Sequence, residues 1–401
     1  MKINLNDVLY AFSYALDCVE HELLGAATNH GKRVAYISTI LGRSLGFDNE
    51  TLFDLAACAV LHDNALTEYL KTEFNKERFE RAEKNELGIH CRIGEENIKN
   101  LPFHKDVTGV ILYHHENVDG SGPFGKTAEE TPLMAQLIHF ADVLDVTFNL
   151  GIYQEGKEKK IRTFLLANEN TLFASEHIKL FLENFTPENL KQIQGEHIDL
   201  LLKTELPECI QEYSGDTLYS IATMFATIID YKSEITSKHS LGIAQKAMAM
   251  AQDYGYDEET SQRLYLAGAV HDIGKLIISK DILEKPAKLN AWEYEYVQTH
   301  VWYTYAILKQ IKGFEDIAGW ASLHHEKLNG KGYPFGKTAA ELGVNERMMA
   351  CLDIYQALTE TRSYKKSMSH DSAMIILRKM VCEGALDSQI VEDIDRLFGS
   401  L

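Results

Sequence analysis

Apolar residues recur along this chain with the period of a helix rather than of a strand. Leu218, Ile221, Ala222, Phe225, Ile228 and Ile229 follow the i, i+3, i+4, i+7 spacing that places one apolar stripe on one helical face. Val297, Val301, Tyr305 and Leu308 repeat that spacing around His300. The two-residue alternation of a half-buried strand is weak throughout. Only 7 prolines interrupt the 401 residues, against an average usage of about 5%, so long helices have room to form. The chain is read as all-α. No run of 18 apolar residues occurs, so no membrane span is expected. The apolar N-terminal stretch is broken by Asp7, Asp17 and Glu20 and lacks a small-residue cleavage site, which argues against a signal peptide.

The same pattern occurs twice. Leu9-Tyr10 recurs as Leu218-Tyr219, His30 as His239 and His62-Asp63 as His271-Asp272, at an offset of 209. His90 pairs with His300 and His114-His115-Glu116 with His324-His325-Glu326 at 210, and Asp142 with Asp353 at 211. An offset that drifts by single residues over so long a stretch describes a duplicated domain rather than a solenoid. The expected division is an N-terminal domain at 1–147, a helical connector at 148–214 and a C-terminal domain at 215–401. Within the connector one helix is expected over 176–185. A second should begin at Thr186-Pro187-Glu188, a cap residue followed by proline in the first turn.

Charge narrows the partners. Against 59 acidic residues stand 40 Lys and Arg, for a net charge of −19. Such a chain is a poor partner for a nucleic-acid polymer or an anionic membrane. A phosphate-bearing ligand would need metal ions or a few placed cations. The six cysteines are scattered singly without a C-x-x-C pair, so free thiols in a reducing cytoplasm are expected and a cysteine zinc site is not signalled.

The 16 histidines are the informative residues. The C-terminal repeat carries His239, His271, Asp272, His300, His324, His325 and Asp353. The N-terminal repeat carries His30, His62, Asp63, His90, His114, His115 and Asp142 in the same order. Lone histidines such as His139 and His370 read as satisfied residues of core or surface. Five imidazoles with two carboxylates exceed the three or four ligands of one ion and suit a pair of them, with Asp272 as a bridge. Nitrogen and oxygen donors favour Fe, Mn or Zn.

His271-Asp272-Ile273-Gly274-Lys275, followed by His324-His325-Glu326 and Gly330-Lys331-Gly332-Tyr333-Pro334, resembles the HD-GYP family, a branch of the HD-domain metal-dependent phosphohydrolases. The resemblance implies hydrolysis of cyclic di-GMP to pGpG, with further cleavage to GMP left open, by a pair of transition-metal ions, Fe or Mn. It implies one ion on His239, His271, Asp272 and Asp353, and another on Asp272, His300, His324 and His325. Lys275 and Tyr333 are implied as substrate groups, with Asp272 and Lys275 in the catalytic step. Arg362 and Lys366 lie in a late basic segment and would meet a second phosphate or a guanine edge. A glutamate that in some members holds a third ion is replaced by Ile235 and Ala26.

The N-terminal repeat departs from this pattern. Leu66 stands where Lys275 stands, the triplet runs to Gly122-Pro123 without the tyrosine, and Asn149-Leu150-Gly151-Ile152-Tyr153 replaces the basic segment. A second aspartate three residues after the last ligand is kept as Asp145 but becomes Gln356 in the C-terminal repeat. The division expected is catalysis in the C-terminal repeat, and a regulatory or dimerising N-terminal repeat with its own pair of metals. Whether the chain is a homodimer is left open. Two other readings share the same residues: a metal-containing sensor or cyclic-dinucleotide-binding effector without turnover, and a phosphohydrolase acting on another nucleotide.

Overall fold

The structure is a computed structural model, and it describes residues 1–24, 28–66, 84–152, 154–195, 197–206, 210–232, 239–360 and 367–399. It is all-α, as the periodicity indicates. The only sheet among the described residues pairs two three-residue strands, β1 (Lys2–Asn4) and β2 (Ile210–Glu212). The chain divides into two compact units, one of residues 4–210 and one of residues 1–3 with 211–401.

The N-terminal unit holds α1 (Leu5–Leu24), α2 (His30–Ser44), α3 (Asn49–Val60), α4 (Lys84–Ile98) and α5 (Leu133–Phe148). It continues through α6 (Lys157–Ala167), α7 (Ser175–Asn184), α8 (Pro187–Gln192) and α9 (His197–Glu205). Helix α2 is central, packing against α1, α3, α5, α7 and α9. The helices expected at 176–185 and from Thr186 are α7 and α8, and Thr186 Oγ1 caps the latter by accepting the Asn189 N–H at 3.3 Å. The segment expected as a connector thus contributes its helices to this unit, tied by an ion pair between buried Lys32 and Asp199 at 2.7 Å.

The C-terminal unit holds α10 (Gly215–Tyr231), α11 (His239–Asp253), α12 (Glu258–Val270), a 3-10 turn (Ile273–Ile277), α13 (Lys280–Leu283) and α14 (Ala291–Leu308). Then follow α15 (Glu315–Ser322), α16 (Val344–Thr359), α17 (His370–Cys382) and α18 (Ser388–Phe398). The stripe read on α10 is buried along its whole length. Ile243, Met250, Leu264, Met348, Leu352, Leu377 and Ile394 form a core that fixes α11, α12 and α16 to one another; each such side chain contributes about 1.5–3 kcal/mol on burial. Asn290 opens α14 with a capping box: its side chain accepts the Glu293 N–H at 2.9 Å while Glu293 accepts the Asn290 N–H at 2.8 Å. These caps and this core set where His239, His271, His300 and Asp353 stand.

Candidate metal centres

In the C-terminal unit the seven expected residues converge from six places. His239 opens α11, His271 ends α12, and Asp272 starts the 3-10 turn. His300 lies inside α14, His324 and His325 follow α15, and Asp353 lies inside α16. One device orients three of the rings. His271 Nδ1 contacts the Gly268 carbonyl at 2.8 Å, His300 Nδ1 that of Val297 at 2.7 Å, and His324 Nδ1 that of Ala321 at 2.6 Å. A carbonyl only accepts, so each Nδ1 donates and each neutral ring turns its Nε2 lone pair inward. Those three Nε2 atoms and Asp272 Oδ1 are buried without a hydrogen-bond partner.

The inward atoms surround Asp272. His271 Nε2 is 3.1 Å from Oδ2, and His300 Nε2 and His324 Nε2 are 3.5 and 3.8 Å from Oδ1. On the other side His239 Nε2 is 3.2 Å and His325 Nδ1 3.7 Å from Asp353. Three sets, His239/His271/Asp353, His271/Asp272/His324 and His300/His324/His325, each bring their donor atoms within 4.8 Å of one another. Orphaned buried acceptors on neutral imidazoles and carboxylates are what divalent transition ions require, so the residues fit a metal pair.

The electrostatics agree. Burial pushes His300 down to about 3 and His324 well below the usual imidazole range, which keeps both rings neutral. Burial works against Asp272, but the neighbouring His271 ring and the Lys275 ammonium hold its carboxyl well below the usual range. His239 is the exception. Burial would lower it, but hydrogen bonds to Asp353 and Glu360 raise it to about 9.

Around this ring sit the other expected groups. Lys275 Nζ is ion-paired with Asp272 Oδ2 and keeps 28% of its side chain exposed. The Tyr333 ring lies 4.8 Å from that of His325. Its loop is fixed by Glu326, whose buried carboxylate accepts the N–H groups of Phe335 and Lys337 at 2.7 and 2.9 Å. The glutamate of the His-His-Glu triplet is therefore a loop clamp and not a member of the donor ring. Arg362, Lys366 and Ile235 fall outside the described residues, as does Ala26 in the N-terminal repeat.

The N-terminal unit builds a parallel centre. His62 Nδ1 donates to Ala59 O at 2.8 Å and His114 Nδ1 to Ile111 O at 2.6 Å, again three residues back. Their Nε2 atoms and Asp63 Oδ1 are buried without a hydrogen-bond partner. His90 and His114 stand 3.5 and 3.6 Å from Asp63 Oδ1, His30 3.4 Å from Asp142, and His115 3.8 Å from Asp142. His139 supports this set by contacting the His114 carbonyl at 3.1 Å.

The profile of the HD domain family matches residues 21–162 and again 223–390. The chain belongs to the HD-domain family. It is 30% identical to the 3′3′-cGAMP-specific phosphodiesterase 1 of Vibrio cholerae, over 98% of this chain and 92% of that one. A cyclic di-GMP phosphodiesterase of Pseudomonas aeruginosa is 32% identical over 39% of this chain and 38% of its own. The crystal structure of a cyclic GMP-AMP specific phosphodiesterase of V. cholerae superposes with a TM-score of 0.67 and 23% identity, covering 100% of this chain and 99% of the other, which shows a shared fold.

Several residues of this HD-domain chain escaped the sequence reading. Glu360 contacts His239 Nδ1 at 2.9 Å, the place that Asp145 takes on His30 at 2.7 Å. Asp17 and Glu20, read only as interruptions of an apolar run, are buried beside the N-terminal centre, and Asp17 accepts the Gly31 N–H at 3.0 Å. Burial, with the charges of Asp17, Asp63 and Asp142, holds Glu20 well above the usual carboxylate range. No cysteine was singled out from the sequence, yet Cys91 Sγ lies with His90, His114 and His115 in one group of donor atoms within 4.8 Å. Burial opposes its ionisation, yet His114 and His90 bring the thiol down to about 6. The signal was available: Cys91 follows His90 directly, where the C-terminal repeat has Val301.

Proposed function

We propose that this chain is a metal-dependent phosphodiesterase that opens a cyclic dinucleotide, with the reaction at the C-terminal centre. The observation that carries this reading is the asymmetry between two similar donor rings. In the C-terminal unit a cation, Lys275, is held against Asp272 at the rim of the ring. In the N-terminal unit the same place is taken by Leu66, fully buried. A pair of Fe or Mn ions bound by His239, His271, Asp272, His300, His324, His325 and Asp353 would supply Lewis-acid activation of water and of the phosphoryl oxygens. Lys275 then presents its ammonium to charge developing on the phosphate or the leaving oxygen. Tyr333, beside His325, borders the substrate, and Arg362 and Lys366 are assigned to its far phosphate or base edge. The N-terminal unit keeps a metal centre without these groups and is assigned a regulatory role.

Metal ligands do not read bases, so the substrate rests on the relatives. The relative named for 3′3′-cGAMP aligns with 98% of this chain, and the one named for cyclic di-GMP with 39%. This favours the mixed dinucleotide over cyclic di-GMP, with the linear dinucleotide as first product. The test incubates Mn- or Fe-loaded protein with 3′3′-cGAMP, cyclic di-GMP and cyclic di-AMP and follows products by chromatography. Wild type is expected to turn over 3′3′-cGAMP fastest. Asp272→Ala should abolish turnover, and Lys275→Ala should lower kcat by about 10²–10³-fold, the effect of losing one transition-state donor. Asp63→Ala should keep turnover. Its complete loss in a folded Asp63→Ala protein would overturn the division of labour, and nucleotide binding without product would favour the effector reading.

A further inference from the structure

The two donor rings are not chemically alike. Position 91 is cysteine in the N-terminal unit, and the matching position in the C-terminal unit is Val301. Both side chains are fully buried. A buried cysteine is commonly a small apolar filler, and at Val301 the C-terminal unit uses such a filler. Cys91 is placed differently from a filler. Its Sγ is 3.5 Å from His90 Nε2, and that same Nε2 is 3.1 Å from His115 Nε2. His90, Cys91, His114 and His115 bring four donor atoms within 4.8 Å of one another, and Asp63 Oδ1 lies 3.5 and 3.6 Å from the Nε2 atoms of His90 and His114.

The Sγ–His90 and His90–His115 separations suit neighbouring ligands of one tetrahedral ion. With bonds of about 2.3 Å to sulfur and about 2.0–2.1 Å to nitrogen, neighbouring sulfur and nitrogen ligands stand about 3.5 Å apart. Two nitrogen ligands stand about 3.3 Å apart on the same geometry. The C-terminal ring offers only imidazole and carboxylate, donors suited to Mn and Fe. A thiolate added to imidazoles shifts preference towards the thiophilic, redox-inert ion of this series.

We propose that Cys91 is a thiolate ligand of the N-terminal centre, which makes that centre a zinc-selective site of different metal content from the C-terminal one. Metal binding by the N-terminal unit, part of the function proposed above, is the reading on which this rests. The N-terminal ion would then persist through the exchange or oxidation of an Fe or Mn pair elsewhere in the chain.

The test uses the full chain, stripped of metal and reconstituted with Co²⁺ alone, in a background where His300→Ala and His324→Ala disable the C-terminal ring. Cobalt uptake is measured by elemental analysis and thiolate ligation by the near-ultraviolet sulfur-to-cobalt charge-transfer band. The band is expected in this background and should vanish in Cys91→Val, which copies the C-terminal residue, and in Cys91→Ser. Zinc affinity should fall by about tenfold or more, a loss that even outer-shell substitutions cause, while manganese affinity changes little. Cobalt bound without the band, or a band that survives Cys91→Val, overturns the assignment of Cys91 alone. No cobalt uptake in the disabled background overturns the N-terminal metal centre and this inference with it.

Discussion

At the scale of single residues, the two centres solve one problem with different side chains. The first histidine of each ring needs a partner for Nδ1 to fix its orientation. In the N-terminal unit Asp145 supplies it and is itself gripped by buried Arg33, with Nε and Nη2 at 2.7 and 2.8 Å. In the C-terminal unit the aspartate has become Gln356 and the arginine Gly242. A Cβ at Gly242 would stand 2.4 Å from Gln356 Nε2, so the lost side chain makes room for the new one. Glu360, one helical turn beyond Gln356, takes over the contact at 2.9 Å, and Gln356 Nε2 donates to it at 3.1 Å. The sequence showed the missing aspartate but not its substitute. Residues i and i+4 share a helical face, and a position-by-position match does not look one turn ahead. Partners of this kind set ligand orientation and basicity, so Glu360→Ala should weaken C-terminal metal binding by about 10–100-fold. Glu360→Gln, which keeps an acceptor without the charge, should lose less. Metal titration of the apo chain checks this, and equal affinities in all three proteins would remove Glu360 from the centre.

At the scale of elements, the join between the 3-10 turn and α14 decides whether His271, Asp272 and His300 meet. Thr304 holds that join: its hydroxyl donates to the His271 carbonyl at 3.0 Å and accepts the Gly274 N–H at 3.1 Å. Gly274 allows it, since a Cβ there would stand 1.9 Å from the His300 carbonyl oxygen. That atom belongs to backbone and cannot swing away. The apolar spacing on α14 was legible but incomplete. It named Val297, Val301, Tyr305 and Leu308, whereas the buried face is His300, Val301, Thr304, Ile307 and Leu308. A helix that presents a ligand and a buried hydroxyl to the interior does not announce its inner face by hydrophobicity alone. The cap at Thr186 and the stripe on α10 were legible because nothing but packing and capping acts on them. Gly274→Ala is expected to cost about 1–3 kcal/mol by overpacking and to displace His300. The C-terminal ring should then lose its metal while the N-terminal ring keeps its own, where Ala65 already stands at the matching position. Elemental analysis beside a denaturation curve checks both parts; unchanged metal content would show that α14 yields without disturbing the ring.

At the scale of the molecule, each unit carries its whole ring. The doubling was legible from residue order, but the unit boundaries at 3/4 and 210/211 were not. Three-residue strands leave no periodicity to read, and the connector's helices carry the same amphipathic signal whichever unit receives them. Among the described residues no helix is long and apolar enough to cross a membrane. The net charge of −19 has a consequence for stability. Asp63, Asp142, Asp145, Asp17 and Glu20 crowd one interior, and Asp272, Asp353, Asp230 and Glu360 the other. Among the described residues these carboxylates are offset by the imidazoles and by a few cations, Lys32, Arg33 and Lys157 beside one group and Lys246 and Lys275 beside the other. Burial, with the charge of Asp272, drives Asp230 up to about 6 despite its hydrogen bond to Ser240. Ions bound at these rings would therefore add to the folding energetics of the units that hold them. An ion held at 100 times its Kd adds about 2.7 kcal/mol to the unit that binds it. In a unit of this size that corresponds to about 5–10 °C in Tm. A chelator should lower the melting of wild type by that amount, and restored divalent metal should reverse it. Asp63→Ala should remove the metal response of the N-terminal unit alone and Asp272→Ala that of the C-terminal unit alone, as read by hydrogen exchange in α2 and in α11. A single substitution that removed the response of both would mean that the two rings are filled as one cooperative system, not independently.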